Sequence, residues 1–368
     1  MDMTRRHWLT AVSAAGVVAA AGPMKLAAAA QLGGTPEQQA EQAAFEKFVP
    51  EMKINDEWLR LSVPGYTMGE TMGVSTNSKG HLFVYSRTNP QGIARGGKAA
   101  MLWEFDRRYK FVKEWGPNNY AASFAHSVRV DKDDNVWQID EGSGMIVKYD
   151  STGQPIFWLG RTPEAIDYLE TYLERDNEFA ARLQSNPPPL HPTGRIGEFN
   201  RPTDVTWDSH GNIYVSDGYG NHRVVKISPT GKWLKTVGSW GEGQDQFHTV
   251  HAICSDSHDN IYVADRENRR IQVYDTDLNY KTTIGHVGAP WTVFCNPGSP
   301  EYLFSGDGTS GKLYKLDLSG KFLGWAQTSL GHGADDTGDL IHLITAPAPD
   351  TVYIGSASLW DVQKITIL

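Results

Sequence analysis

The chain of 368 residues holds only two cysteines, Cys254 and Cys295. Two thiols cannot build a disulfide framework, so the fold has to rest on a packed core. Both fall in apolar runs that predict inner strands of neighbouring repeats. They read as buried free thiols, with one inter-blade bridge as the alternative. Positive charge is also in deficit, with a formal net charge of −9. No basic stripe is visible, which argues against a nucleic-acid partner. No stretch of linker composition divides the chain into two globular domains.

The N-terminus lacks a long hydrophobic run. Thr4-Arg5-Arg6-His7-Trp8-Leu9 precedes a mild apolar stretch over 11–22, too short to span a bilayer. Ala-rich 26–30 offers a cleavage site. Paired arginines before a modest apolar region resemble a bacterial twin-arginine signal over 1–30, with a general secretion signal as the alternative. Removing that segment, which carries a net +2, leaves −11. The expected location is periplasmic or secreted, with no stable membrane insertion. Residues 31–50 are polar and rich in Ala, Gln and Glu, and read as a polar linker or short helix.

What the rest of the chain has is a repeat. Its clearest copy is Thr203-Asp-Val-Thr-Trp-Asp-Ser-His-Gly-Asn-Ile-Tyr-Val-Ser-Asp217, followed by Arg223-Val-Val-Lys-Ile-Ser. It recurs from His251 to Asp265 and from His126 to Asp140, and degenerate copies begin near Met72, Trp291 and His342. A period of roughly 40 residues with four short strands predicts an all-β propeller. The copies number six, over residues 51–368. The last copy is one strand short, and Glu57-Trp-Leu-Arg-Leu-Ser has the strand character to complete it, which closes the ring and removes two edges. His210 and His258 sit in the polar turns and read as turn residues. Residues 161–192 interrupt the pattern between blades two and three, with Ile166, Leu169 and Leu173 on one face of a helical periodicity.

Three histidines occupy one slot of the repeat: Ala125-His126-Ser127, Val250-His251-Ala252 and Ile341-His342-Leu343. Equivalent slots of a closed ring converge on its axis. Three imidazoles there form the ligand set of an open zinc site, or a site for another divalent transition metal. Strand B of each blade returns to the face where strand A began. Fourteen residues separate His126 from Asp140 and His251 from Asp265, so the B-strand ends surround the histidines. Just beyond lie Glu141, Gly218-Tyr219, Arg266 and, with Val74 aligned to Val128, Arg87. The recurring Asp140, Asp217 and Asp265 read as structural groups bonding strand-end amides.

Phe199-Asn-Arg-Pro-Thr-Asp-Val205, Tyr214-Val-Ser-Asp-Gly-Tyr-Gly-Asn-His-Arg-Val-Val225 and Val263-Ala-Asp-Arg-Glu-Asn-Arg-Arg-Ile-Gln272 resemble the peptidyl-α-hydroxyglycine α-amidating lyases, six-bladed NHL-repeat propellers. The resemblance covers residues 57–368 and implies zinc on His126, His251 and His342. It further implies a catalytic tyrosine at Tyr219 and substrate arginines at Arg87 and Arg266. Two departures stand out. Leu343 occupies the place of an Asp that, by resemblance, helps hold a channel calcium with the carbonyls of Val74 and Val128, which puts calcium in doubt. Gly220, Tyr262 and Val273 stand where the family has cysteine.

The reading is an exported zinc-dependent lyase acting on a small-molecule or peptide-like substrate that carries a carboxylate or carbonyl. Tyr219, made more acidic by metal or arginine, takes a proton from a hydroxyl. A lactonase-like metal-dependent hydrolase with Glu141 as base, or a non-catalytic NHL binding propeller, is the alternative.

Overall fold

A computed structural model describes residues 34–88, 99–160, 196–330 and 340–368. The expected signal segment and the insertion at 161–192 lie outside the described residues. The described chain forms six four-stranded antiparallel sheets and two short helices. Blade 1 is β2 (Glu70–Thr76), β3 (Leu82–Arg87), β4 (Ala100–Phe105) and β5 (Phe111–Trp115). Blade 2 is β6 (Ala125–Val130), β7 (Val136–Asp140), β8 (Met145–Tyr149) and β9 (Pro155–Gly160). Blade 3 is β10 (Asp204–Trp207), β11 (Ile213–Asp217), β12 (Arg223–Ile227) and β13 (Trp233–Val237). Blade 4 is β14 (Val250–Ser255), β15 (Ile261–Asp265), β16 (Arg270–Tyr274) and β17 (Tyr280–Ile284). Blade 5 is β18 (Pro290–Cys295), β19 (Leu303–Asp307), β20 (Lys312–Leu316) and β21 (Phe322–Gln327). Blade 6 is β22 (Ile341–Ala348), β23 (Thr351–Ser356) and β24 (Gln363–Ile367), completed by β1 (Ile54–Trp58).

The expected six-bladed propeller is therefore what the chain forms. The closing strand starts a few residues earlier than its β-propensity indicated, with Ile54 opposite Ile367 and Trp58 opposite Gln363. Each inner strand packs on the next around the ring, β22 meeting β2. The core lies mainly as apolar slabs between neighbouring blades, such as Trp137, Phe199, Val205 and Val225 between blades 2 and 3. This follows from strands whose two faces are both covered, leaving near-continuous burial along β7, β11 and β15.

The polar turns repeat one device. Asp208 Oδ1 accepts from the amides of His210 and Asn212, and Asp256 Oδ1 from those of His258 and Asn260. His210 and His258 are exposed turn residues, as their spacing indicated. Cys254 and Cys295 sit on adjacent inner strands as buried free thiols, their sulfurs in hydrogen-bond contact at 3.8 Å without a disulfide.

The segment read as a polar linker or short helix contains a docked helix, α1 (Pro36–Glu46). Thr35 and Gln38 form a capping box at its start. Phe45 stacks on His286 at 4.2 Å, and Glu46 accepts from Tyr314 Oη at 2.7 Å and Lys312 Nζ at 2.5 Å. These contacts are tertiary and leave no period in the sequence, which is why the composition alone looked like a linker. Among the described residues no helix is long and apolar enough to cross a membrane.

Candidate active site

The site begins with a backbone irregularity. In five of the six inner strands the register slips by one residue at the slot. The bulged residues are Met72, His126, His251, Trp291 and His342. A bulge bends the strand and re-aims one side chain. In blade 3 the slot residue Thr203 lies just outside β10, with its amide on the Ser216 carbonyl.

The bulges bring His126, His251 and His342 together. Their ring centroids are 4.7–4.9 Å apart, and one nitrogen from each lies within 4.8 Å of the others. All three are buried. Each Nδ1 donates to a main-chain carbonyl: His126 to Thr203 at 2.6 Å, His251 to Trp291 at 2.6 Å, His342 to Met72 at 2.7 Å. A carbonyl can only accept, so Nδ1 carries the hydrogen and Nε2 the lone pair. Nε2 of His126 and of His342 are buried without a hydrogen-bond partner. Desolvation, reinforced by neighbouring arginines, holds all three well below the ordinary histidine pKa and hence neutral. Three neutral, oriented imidazoles, two of them with a buried Nε2 that has no partner among the described residues, could hold a metal ion, and these residues fit one.

Tyr219 lies on α2 (Gly218–Asn221), one turn of helix directly after β11. Gly218 makes that turn possible, because a Cβ there would sit 1.7 Å from the Val250 carbonyl oxygen. The Tyr219 hydroxyl is 2.9 Å from His251 Nε2 and accepts from Arg266 Nη1 at 3.3 Å. Burial raises its pKa, and the opposing pull of Arg266, Arg201 and Arg87 does not overcome it. The guanidiniums pull in the expected direction, and desolvation of a phenolate outweighs them.

Arg87 ends β3. Its Nε donates to the Ala125 carbonyl at 2.9 Å, its head pairs with Glu141 at 3.1 Å and Glu70 at 3.3 Å, and it lies over Phe124 at 3.5 Å. Arg266 follows β15, pairs with Glu267 at 2.6 Å and lies over Trp291 at 4.4 Å. Burial works against its charge, but Glu267 and Tyr219 outweigh that and hold its pKa above the ordinary arginine value. The strand-end aspartates are structural in their contacts. Asp140 accepts from the amides of Ser123, Phe124 and Ser143, and Asp217 from that of Asn200. Burial raises Asp265 to about 6.

One residue was not singled out. Arg201 pairs with Glu141 and lies over the Tyr219 ring at 4.7 Å. Its backbone is left-handed at φ 61°, directly before Pro202, in a loop held by the Asn200 contacts to Asp217 and Gly220. Such strain marks a side chain held where the surroundings need it. Nothing in the repeat pattern exposes it, since it precedes the strand. Deeper along the inner strands, Arg129 Nε and Nη2 clasp the Asp204 carboxylate while Nη1 reaches across to the Ile344 carbonyl at 2.7 Å. Leu343, the residue before Ile344, is fully buried among apolar neighbours.

With the geometry described, the chain can be set beside known proteins. The NHL repeat family matches residues 199–227 and 247–274. The chain carries NHL repeats. It is 28% identical over 344 residues to a rat peptidylglycine alpha-amidating monooxygenase, covering 83% of this chain and 32% of that protein. The NHL propeller thus spans about a third of that relative's length. It is 23% identical over 315 residues to a probable peptidyl-alpha-hydroxyglycine alpha-amidating lyase of Caenorhabditis elegans, covering 77% of this chain and 81% of the relative. Among solved structures, a streptogramin B lyase superposes with a TM-score of 0.54 at 14% identity, over 86% of this chain and 98% of that one. That likeness concerns the fold.

Proposed function

We propose that this NHL propeller is an exported, metal-dependent lyase that cleaves the C–N bond of an N-acyl-α-hydroxyglycine, with zinc or another divalent transition metal on His126, His251 and His342. The observation that carries the reading is the Tyr219 hydroxyl placed 2.9 Å from His251 Nε2, where a metal ligand and a proton-transfer group share one point. A bound divalent ion supplies a Lewis acid that polarises a substrate oxygen. Tyr219 would act as phenolate, a form favoured by Arg266 and by a bound cation, and take the proton of the substrate hydroxyl. The C–O bond gains double-bond character, the C–N pair goes to nitrogen, and Tyr219 returns its proton to that nitrogen, giving a primary amide and glyoxylate. Arg87 and Arg266 hold the carboxylate, which a forked guanidinium does well.

The hydrolase alternative needs a carboxylate base. Glu141 suits it poorly: burial favours its neutral form, but Arg201 and Arg87 outweigh that and hold its pKa below the ordinary value. A carboxylate clamped by two guanidiniums is a weak base. The test is metal analysis of purified protein together with glyoxylate release from N-benzoyl-α-hydroxyglycine. Folded protein without a transition metal, or metal-loaded protein releasing no glyoxylate, refutes the reading. Export belongs to the same proposal. Arg5→Lys with Arg6→Lys should trap the precursor in the cytoplasm, and undiminished delivery would show a general signal.

A further inference from the structure

Two buried polar groups beside Arg266 have no partner among the described residues. Arg266 Nε and Nη2 both donate to one oxygen of Glu267, Oε1, at 2.9 and 2.6 Å. A carboxylate facing a guanidinium ordinarily uses both oxygens in a fork. Here the second oxygen, Oε2, is buried and accepts nothing among the described residues. On the face of the same guanidinium lies the Trp291 ring, and Trp291 Nε1 is likewise buried without an acceptor. Other buried indoles share that lack, Trp103 and Trp207 among them. Trp291 differs in its place, with its ring 5.0 Å from His251 and 6.0 Å from His342. It is also confined: a Cβ at Gly308 would lie 2.3 Å from the indole, so the ring occupies a cradle that only glycine leaves open.

One orphaned acceptor and one orphaned donor, on the edge and the face of one guanidinium, are costly to bury unless something pairs both. A secondary amide is the small group that does so, since it offers one N–H and one C=O. We infer that Glu267 and Trp291 form an amide-binding subsite, with Glu267 Oε2 accepting the substrate N–H and Trp291 Nε1 donating to the acyl oxygen. This rests on the lyase reading only in naming that amide as the leaving group. It assigns two residues to the recognition of that amide and disfavours esters and lactones, which leave the carboxylate oxygen unpaired. Both residues are positioning and specificity groups; neither moves a proton.

The test is calorimetry on metal-loaded protein with N-benzoylglycine, N-benzoyl-N-methylglycine and glyoxylate. The wild type should prefer the N–H compound by at least about tenfold, as a site built around a hydrogen bond does. Glu267→Gln turns a donor toward the substrate N–H and should abolish the preference. Trp291→Phe keeps the aromatic wall and should weaken N-benzoylglycine by about tenfold. Glyoxylate carries no amide, so both variants should change its affinity far less than that of N-benzoylglycine. A wild type that does not discriminate overturns the inference. So does a parallel loss of glyoxylate binding, which would mean both residues act only through Arg266. An intact N–H preference with no glyoxylate released from N-benzoyl-α-hydroxyglycine would sink the lyase reading and leave the subsite standing.

Discussion

Blades 2, 4 and 6 and blades 1, 3 and 5 use the same slot for opposite purposes. The even blades present His126, His251 and His342 there. The odd blades present Met72, Thr203 and Trp291, whose main-chain carbonyls each receive the Nδ1 hydrogen of the histidine in the blade before them. A sixfold ring thereby becomes a threefold site, in which each ligand is oriented by its neighbour. The two sets also tolerate change differently. A carbonyl is common to every residue, so the odd slots can hold a thioether, a hydroxyl or an indole. An imidazole has no substitute. This explains why the copies at Met72 and Trp291 look degenerate in sequence while their backbone role is intact.

The most damaging way to break the comparison is to remove an even-slot side chain. His126→Ala, His251→Ala or His342→Ala should each strip the metal and lower turnover on the order of 1,000-fold, the several kcal/mol a Lewis-acidic ion supplies. Elemental analysis and glyoxylate release check this, and a fully loaded single variant would refute the ligand assignment. Tyr219→Phe should come next, with a loss of about 100-fold in kcat and unchanged metal content and melting temperature.

A smaller effect separates the two sets by pH. The three histidines have depressed pKa values, from desolvation first, so the metal-free fold keeps them neutral. Their contribution is present above the ordinary value of 6.5 and is lost as pH falls toward their folded pKa values. Chelator-treated protein should therefore melt at lower temperature as pH drops from 7 to 5, and His342→Ala should flatten that slope. A slope identical in both would mean other groups govern it. The smallest effect is on the odd blades. Met72→Leu keeps the carbonyl that orients His342 and should leave metal content unchanged; a metal-poor variant would show that the side chain matters there. Calcium chelation should likewise leave stability unchanged, because Leu343 offers no carboxylate to hold the ion. A loss of melting temperature on selective calcium removal would contradict that.

Much of this was legible without coordinates because a repeat converts spacing along the chain into position around an axis. The period predicts the blades, the missing strand predicts closure through a segment at Glu57 and Trp58, and one slot aligns the three histidines. Counting fourteen residues from that slot reaches Asp217 and Asp265, just before Tyr219 and Arg266, because strand B must return to the face strand A left. Such relations follow from strand geometry, which local sequence controls.

What only tertiary structure decided are relations between residues with no common period. The bulges aim the imidazoles, yet no residue type marks them. The tautomer is set by carbonyls 40, 77 and 270 residues away in the chain. Arg201 enters the site through a left-handed residue outside any strand, and α1 docks through Glu46 on strands more than 260 residues distant. The acidity of Tyr219 went against its arginines because burial acts on the whole side chain, while each charge acts at a distance. Residue types and their spacing are carried by the chain itself; desolvation and main-chain hydrogen bonding exist only once the blades have packed.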